Sequence, residues 1–297
     1  MSGDPVRGHD HTTSSIIPPG RVIPLPGGGS TFVRDSGGPP GSPTVLLLHG
    51  LGVTADLNWA TSMPALSRDF RVVAPDLRGH GQAVSSNHAF TLEAAADDVA
   101  AVADALRLRS FVAVGYSMGG AIAPLLWRRH PALVEGLVLC ATSRSFRGTV
   151  YEHLLFDAAA TIRAAARVIP DAVPRAVVRK LAGALVERRS TTTPADPYRQ
   201  FALRPVMDAA SQLGGYRSHD WIGDVDVPAA VLVHTRDHLV PPRRQFGLAR
   251  AIPGADVHLV DGSHLACVRE PDAFVAALLA AVHGVVDRSA GAIARAS

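Results

Sequence analysis

The residues with the clearest chemical potential are Gly115-Tyr116-Ser117-Met118-Gly119, a G-x-S-x-G run. Glycines on both sides of a serine permit a sharp strand-to-helix turn that a Cβ would obstruct. The context suits that use. An apolar strand-like stretch, Phe111 to Val114, precedes the run, and a helix-like stretch continues from Ala121 through Trp127. A plain glycine-rich turn is the alternative, and the partners decide between the two. A serine hydroxyl is a poor nucleophile at neutral pH and needs a base, normally a histidine held by a carboxylate.

His264 lies in Asp261-Gly262-Ser263-His264, directly after the last apolar strand, where it can reach across the top of a sheet. Asp237 follows the preceding strand in the same manner, so the chain order is Ser, Asp, His. His238, adjacent to Asp237, is a second-ranked base. Other acids are worse placed: Asp224 and Asp226 precede their strand, Asp261 is nearly adjacent to His264, and Ala141 to Ser145 contains no carboxylate. Acyl transfer also requires donors for a developing oxyanion. The Gly-rich turn His49-Gly50-Leu51-Gly52 can present the N–H of Leu51, and Met118 supplies a second. His49, Gly50 and Tyr116 stand beside these groups and are the substrate-contacting candidates, although His49 next to glycines is better suited to holding its loop by hydrogen bonds.

These residues need a frame. Val22 to Leu25 and Thr31 to Arg34 read as a hairpin. Nearly continuous apolar runs follow at Thr44 to Leu48, Arg71 to Ala74, Phe111 to Val114, Gly136 to Leu139, Ala229 to Val233 and Val257 to Val260, as expected of strands covered on both faces. Helical patterns fall between them, at Leu92 to Leu106, Ala121 to Arg129, Pro271 to Val282 and, weakened by Pro64, at Asn58 to Leu66. The alternation predicts an α/β fold with a mainly parallel, doubly wound sheet. Its core comprises 21–145 and 217–285. Residues 146–216, Ala- and Arg-rich with no convincing strand, are expected to form a helical cap or lid. That segment and its flanks carry about twice as many basic as acidic groups, so its surface should be cationic. Segments 1–20 and 286–297 are expected to be flexible.

Taken together, His49-Gly50, Asp76-Leu77-Arg78-Gly79-His80-Gly81, the Ser117 turn, Asp237 with its trailing Pro241, and His264 resemble the α/β-hydrolase superfamily from about Val22 to Val282. The resemblance implies Ser117 as nucleophile, Asp237 as orienting acid, His264 as base, and Leu51 and Met118 as oxyanion donors, with a cap at Phe146 to Tyr216. Two departures stand outside the chemistry: Ser263 replaces the glycine often found before the histidine, and Gln82-Ala83 replace a serine after the Gly-His-Gly loop. A serine nucleophile, and Leu51-Gly52 where epoxide hydrolases usually carry an aromatic-proline pair, disfavour epoxide hydrolase and haloalkane dehalogenase chemistry.

The function expected is a cofactor-free, metal-free serine esterase, lipase-like, acting on an apolar acyl or lipid-like small molecule. The superfamily uses the same triad for C–C bond, lactone and thioester hydrolysis and for cofactor-free perhydrolysis; a ligand-binding receptor or scaffold with little turnover is the reading of another class. No G-x-x-x-x-G-K-[ST], C-x-x-C or H-E-x-x-H is present. The 297 residues carry a formal charge of +3 with a single lysine, Lys180, and no basic block interleaved with aromatics, so no nucleic-acid partner is expected. No apolar leader or uninterrupted run of spanning length is apparent, and the two cysteines, Cys140 and Cys267, make no disulfide framework. A cytoplasmic protein without a membrane span is the expectation, with peripheral membrane contact through the cap compatible with its composition and the oligomeric state left open.

Overall fold

The computed structural model describes residues 17–25, 29–83, 90–148, 156–157 and 203–296. The apolar runs form eight strands: β1 (Gly20–Pro24), β2 (Ser30–Asp35), β3 (Thr44–Leu48), β4 (Arg71–Pro75), β5 (Phe111–Tyr116), β6 (Val134–Cys140), β7 (Ala229–His234) and β8 (Asp256–Val260). They make one sheet in the order β1-β2-β4-β3-β5-β6-β7-β8. The β1–β2 and β2–β4 pairs are antiparallel, with Ile23 opposite Thr31, and every other pair is parallel.

Parallel strands need crossovers, and here these cover both faces. The helices are α1 (Ala55–Trp59), α2 (Met63–Leu66), α3 (Leu92–Ala105), α4 (Met118–Arg129), α5 (Leu203–Gly215), α6 (Pro242–Ala251), α7 (Ala266–Arg269) and α8 (Pro271–Ala296). Side chains alternate across the strands, so Leu46, Leu48, Ala113, Leu137, Leu139, Val231 and Val233 meet α3, α4, α5 and α6 in one core layer. Val45, Leu47, Val112, Val114, Val138 and Leu232 meet Trp59, Met63, Phe274, Leu278 and Val282 in the other. At about 1.5–3 kcal/mol for each large side chain buried, these two layers supply the main force holding the sheet flat against its helices. The doubly wound, mainly parallel sheet is thus the expected one.

Three local differences have physical causes. The stretch Asn58 to Leu66 is two short helices, because Pro64 lacks an N–H and is tolerated only in a first turn, which it occupies in α2. Helix α4 starts at Met118, three residues before the apolar pattern begins, since the chain turns directly from β5 into the helix. The tail expected to be flexible from 286 instead continues α8 to Ala296. There Arg288 pairs with Asp256 at 2.7 Å and donates to the Ala229 carbonyl, while the buried Ser289 hydroxyl donates to the Glu135 carbonyl at 2.6 Å. Polar residues that suggested fraying are anchors to the sheet's far edge.

Contrary to the sequence expectation, Pro271–Ala292 is long and apolar enough to cross a membrane by length and composition. Its apolar face, through Phe274, Leu278, Ala281, Val282 and Val285, lies buried against the sheet. Residues 1–16 of the N-terminal segment and most of the expected cap, 149–155 and 158–202, lie outside the described residues. At the cap's roots, Ser145 and Arg217 form an antiparallel bridge, and α5 packs Ala209 and Leu213 into the core layer shared with α3.

Candidate active site

In a parallel sheet, ligand sites form outside the carboxyl ends of the strands. Here β3, β5 and β7 end in His49, Ser117 and the loop bearing Asp237, and β8 is followed by His264. Ser117 is held in a turn of the left-handed region, φ 53° and ψ −110°. Such a backbone costs about 1–3 kcal/mol and persists only where neighbours enforce it. Its N–H donates to the Cys140 carbonyl at 2.9 Å, and its own carbonyl accepts from Thr142 Oγ1 at 2.8 Å. The glycines make the turn feasible. A Cβ on Gly119 would stand 2.2 Å from the Leu48 carbonyl oxygen, and one on Gly115 would stand 2.3 Å from that of Gly119.

Gly119→Ala therefore presses a methyl group into backbone that cannot swing aside. A loss of about 3 kcal/mol of unfolding free energy is expected, read by denaturant unfolding of the variant beside the parent. A variant as stable as the parent would show that β3 and α4 separate freely, contrary to this packing.

The side chains of Ser117, His264 and Asp237 form one hydrogen-bonded chain. Ser117 Oγ lies 3.0 Å from His264 Nε2, and His264 Nδ1 lies 2.7 Å from Asp237 Oδ2. Asp237 is almost completely buried, yet its carboxylate is fully occupied. Oδ1 accepts the N–H groups of Leu239 and Val240 at 2.8 and 2.9 Å, and Oδ2 accepts Gln245 Nε2 at 3.1 Å as well as His264. Four donors thus occupy the lone pairs of this carboxylate. An anionic Oδ2 facing Nδ1 fixes the proton of a neutral imidazole on Nδ1 and leaves Nε2 free to accept from the serine. His238, the second-ranked base, is exposed beside Asp237. Asp261 is exposed as well and pairs with Arg236 at 2.8 Å.

Beside the serine, Gly50 is close enough that a Cβ there would lie 3.6 Å from Ser117 Cβ. Its N–H is taken by Asn58 Oδ1 at 2.8 Å. Among the described residues, the N–H groups of Leu51 and Met118 donate to no protein acceptor. Met118 opens α4, so its amide belongs to the unpaired first turn, where anions are favoured.

Two of the expected substrate contacts are corrected. His49 is fully buried, with Nδ1 bonded to the Gly50 carbonyl and Nε2 accepting the Leu77 N–H, both at 2.8 Å. Burial lowers its pKa to about 4, so it is a neutral brace of the loop, as its glycine neighbours suggested. Tyr116 points to the opposite face of the sheet because strand residues alternate. It is buried among Trp59, His234 and Phe274, and its hydroxyl donates to the His264 carbonyl at 2.7 Å.

Sequence reasoning missed the residues that hold the histidine loop. His234 Nδ1 bonds the Ser263 carbonyl at 2.9 Å, and burial lowers its pKa to about 4, keeping it neutral. Gln245 accepts the His234 N–H through Oε1 at 2.9 Å and donates to the Val240 carbonyl at 2.7 Å. A signal for Gln245 existed: it is three and four residues before Leu248 and Ala249 on the buried face of α6, a polar group where the pattern calls for an apolar one. Cys267 lies beneath the site, its thiol pushed up to about 12 by burial and therefore protonated.

Comparison with known proteins places this geometry among relatives. The family model described as alpha/beta hydrolase fold matches residues 43–271. The chain is 28% identical over 243 residues to the pyrrolizixenacetamide deacetylase of Xenorhabdus hominickii, covering 78% of this chain and 88% of that protein. It is 28% identical over 240 residues to the non-heme chloroperoxidase of Streptomyces lividans, covering 72% and 81% respectively. The solved structure of a thermophilic esterase from Thermogutta terrifontis shares its fold, with a TM-score of 0.72 at 24% identity, covering 89% of this chain and 99% of that one.

Proposed function

This chain belongs to the α/β-hydrolase fold family, and on that premise we propose that it is a serine hydrolase cleaving carboxylic esters of apolar acyl groups. The observation that carries the reading is the chain from Asp237 Oδ2 through His264 to Ser117 Oγ, at 2.7 and 3.0 Å. Similarity to a deacetylase, which by its name acts on an acyl group, supports acyl transfer.

In this mechanism Ser117 Oγ attacks the acyl carbonyl carbon while its proton passes to His264 Nε2. The carbonyl oxygen gains negative charge and is met by the N–H groups of Leu51 and Met118, a donor pair of which each member is worth about 3–4 kcal/mol in the barrier. The C–O bond to the alcohol then breaks, and the alcohol leaves with the proton from His264. Water, deprotonated by the same Nε2, attacks the acyl-serine. The acid is released and Ser117 recovers its proton. Asp237 stays ionised throughout and stabilises the imidazolium that forms twice in each cycle.

The test is a fluorophosphonate probe on the intact protein, with the labelled peptide sequenced by mass spectrometry, beside p-nitrophenyl esters of increasing acyl length. Label on Ser117 and turnover with a defined chain-length optimum are expected. A protein that neither labels nor turns over any ester would overturn the reading in favour of a binding protein of this fold.

A further inference from the structure

At the carboxyl ends of β6 and β7 lies a cavity of about 390 Å3. Its described lining includes Ser143, Arg144 and Arg147 from the segment after β6, His219, and Arg243 and Arg244 from the first turn of α6. No carboxylate is among the described residues lining it. The cavity shares its supports with the triad. Thr142, the neighbour of Ser143, holds the Ser117 carbonyl, and Val240, just before Pro241 and α6, holds Asp237 Oδ1.

Two of the arginines here, Arg144 and Arg243, differ from the ion-paired arginines of the core. Arg34, Arg71, Arg78 and Arg288 are each half-buried, and each meets a carboxylate, Asp56, Asp35, Asp98 and Asp256 respectively, at 2.6–2.8 Å. Arg147 in the cavity wall likewise meets Asp157 at 2.9 Å. Arg144 is half-buried as well, yet among the described residues its guanidinium meets no carboxylate, and neither does that of Arg243. A guanidinium taken partly out of water loses hydration that an ion pair ordinarily replaces. An oxyanion in this hollow would attract both Arg144 and Arg243.

A Cβ on Gly148 would fall 1.9 Å from Arg244 Nη2, so the guanidinium occupies the place a side chain would take. Gly247 lines the same cavity, with Arg144 Nη2 at 3.7 Å from its Cβ position. Planar guanidinium donors match the paired oxygens of a carboxylate or phosphate.

We propose that this cavity binds an oxyanion group, carboxylate or phosphate, carried on the substrate at a distance from the bond cleaved. Placing that group on a substrate rests on the serine-hydrolase reading; the anion site itself does not. The enzyme then selects anionic esters over neutral ones of the same length. Remote binding of the charge fixes the acyl chain and delivers the carbonyl to Ser117.

The experiment compares p-nitrophenyl hexanoate, mono-p-nitrophenyl adipate and the matching ω-phosphate ester at constant ionic strength, for the parent, Arg144→Gln and Arg243→Gln. The parent should favour an anionic ester by about tenfold or more in kcat/KM, and which one it favours identifies carboxylate or phosphate. Each variant should lose about tenfold of that preference, chiefly through KM, with hexanoate turnover unchanged. Gly148→Ala keeps every charge and displaces Arg244, so it should weaken the preference in the same direction. Equal turnover of charged and neutral esters by the parent, or an equal fall for both in the variants, overturns the proposal. Calorimetric titration of glutarate and inorganic phosphate into the same proteins separates the two readings. Saturable binding lost in the arginine variants supports the anion site even if no ester is cleaved; no binding, or binding indifferent to the variants, rejects it.

Discussion

Ser117→Ala is expected to lower kcat/KM for the best p-nitrophenyl ester by about 10^4-fold or more and to abolish fluorophosphonate labelling. Alanine keeps the backbone of the turn. The Ser117 N–H and carbonyl hold the turn through Cys140 and Thr142, and both survive the substitution. The φ of 53° is no worse for alanine than for serine. Only the hydroxyl is lost, so thermal unfolding should move little while the nucleophile that His264 Nε2 serves is gone. Residual rate over water would come from the Leu51 and Met118 donors and from substrate binding, which act on any attacking oxygen. Activity above about one per cent of the parent would mean that His264 drives water directly, and the acyl-enzyme mechanism would fall. A chain serving only as a binding protein of this fold would keep its ligand affinity in the variant and show no turnover to lose.

Much of this was legible in the residues, and the parts that were not have two causes. Strands such as β3 and β5 are apolar on both faces, so their sequence signal is simply a run of valine and leucine bounded by glycine. Ser117, Asp237 and His264 were legible because each lies within a few residues of the end of a strand, β5, β7 and β8 respectively. Direction across the sheet is harder. Tyr116 precedes Ser117 in the chain but faces the opposite layer, a period-two consequence that fixes it behind His264 and away from any substrate. His49 is equally close to the site in sequence and is spent on Leu77 and Gly50.

The residues that support the triad were invisible for a different reason. Gln245, His234 and Asn58 are buried polar groups, each with a partner 8 or more residues away in the chain. Only tertiary contact distinguishes a buried glutamine that completes a network from one on a wet helix face. The end of α8 shows the same limit. Arg288 and Ser289 look like the polar start of a loose tail, yet each finds a carboxylate or carbonyl on the sheet, and the helix continues. Local pattern records which face is apolar; it does not record which polar groups have distant partners.

Asp237→Asn should cost about 10^4-fold in kcat with the fold intact, and the network around it says why. Asparagine offers one carbonyl oxygen and one NH2 group where aspartate offers two acceptors. The Oδ1 position accepts two backbone N–H groups, from Leu239 and Val240, and Oδ2 faces Gln245 Nε2 and His264 Nδ1. The asparagine oxygen is therefore drawn to the two backbone donors, and its NH2 is turned toward the imidazole. His264 then satisfies that NH2 by carrying its proton on Nε2. An Nε2–H cannot accept the proton of Ser117, so the base is lost although all three side chains remain in place. Steady-state kinetics across pH would show a uniform fall, and NMR of the imidazole nitrogens would show the proton on Nε2 in place of Nδ1. A tautomer unchanged from the parent, with kcat reduced less than tenfold, would mean that Asp237 anchors the loop through Leu239 and Val240 without orienting the base. The same amide would leave Gln245 Nε2 facing another donor, a small and separate cost of about 1–3 kcal/mol that thermal unfolding reads independently of the chemistry.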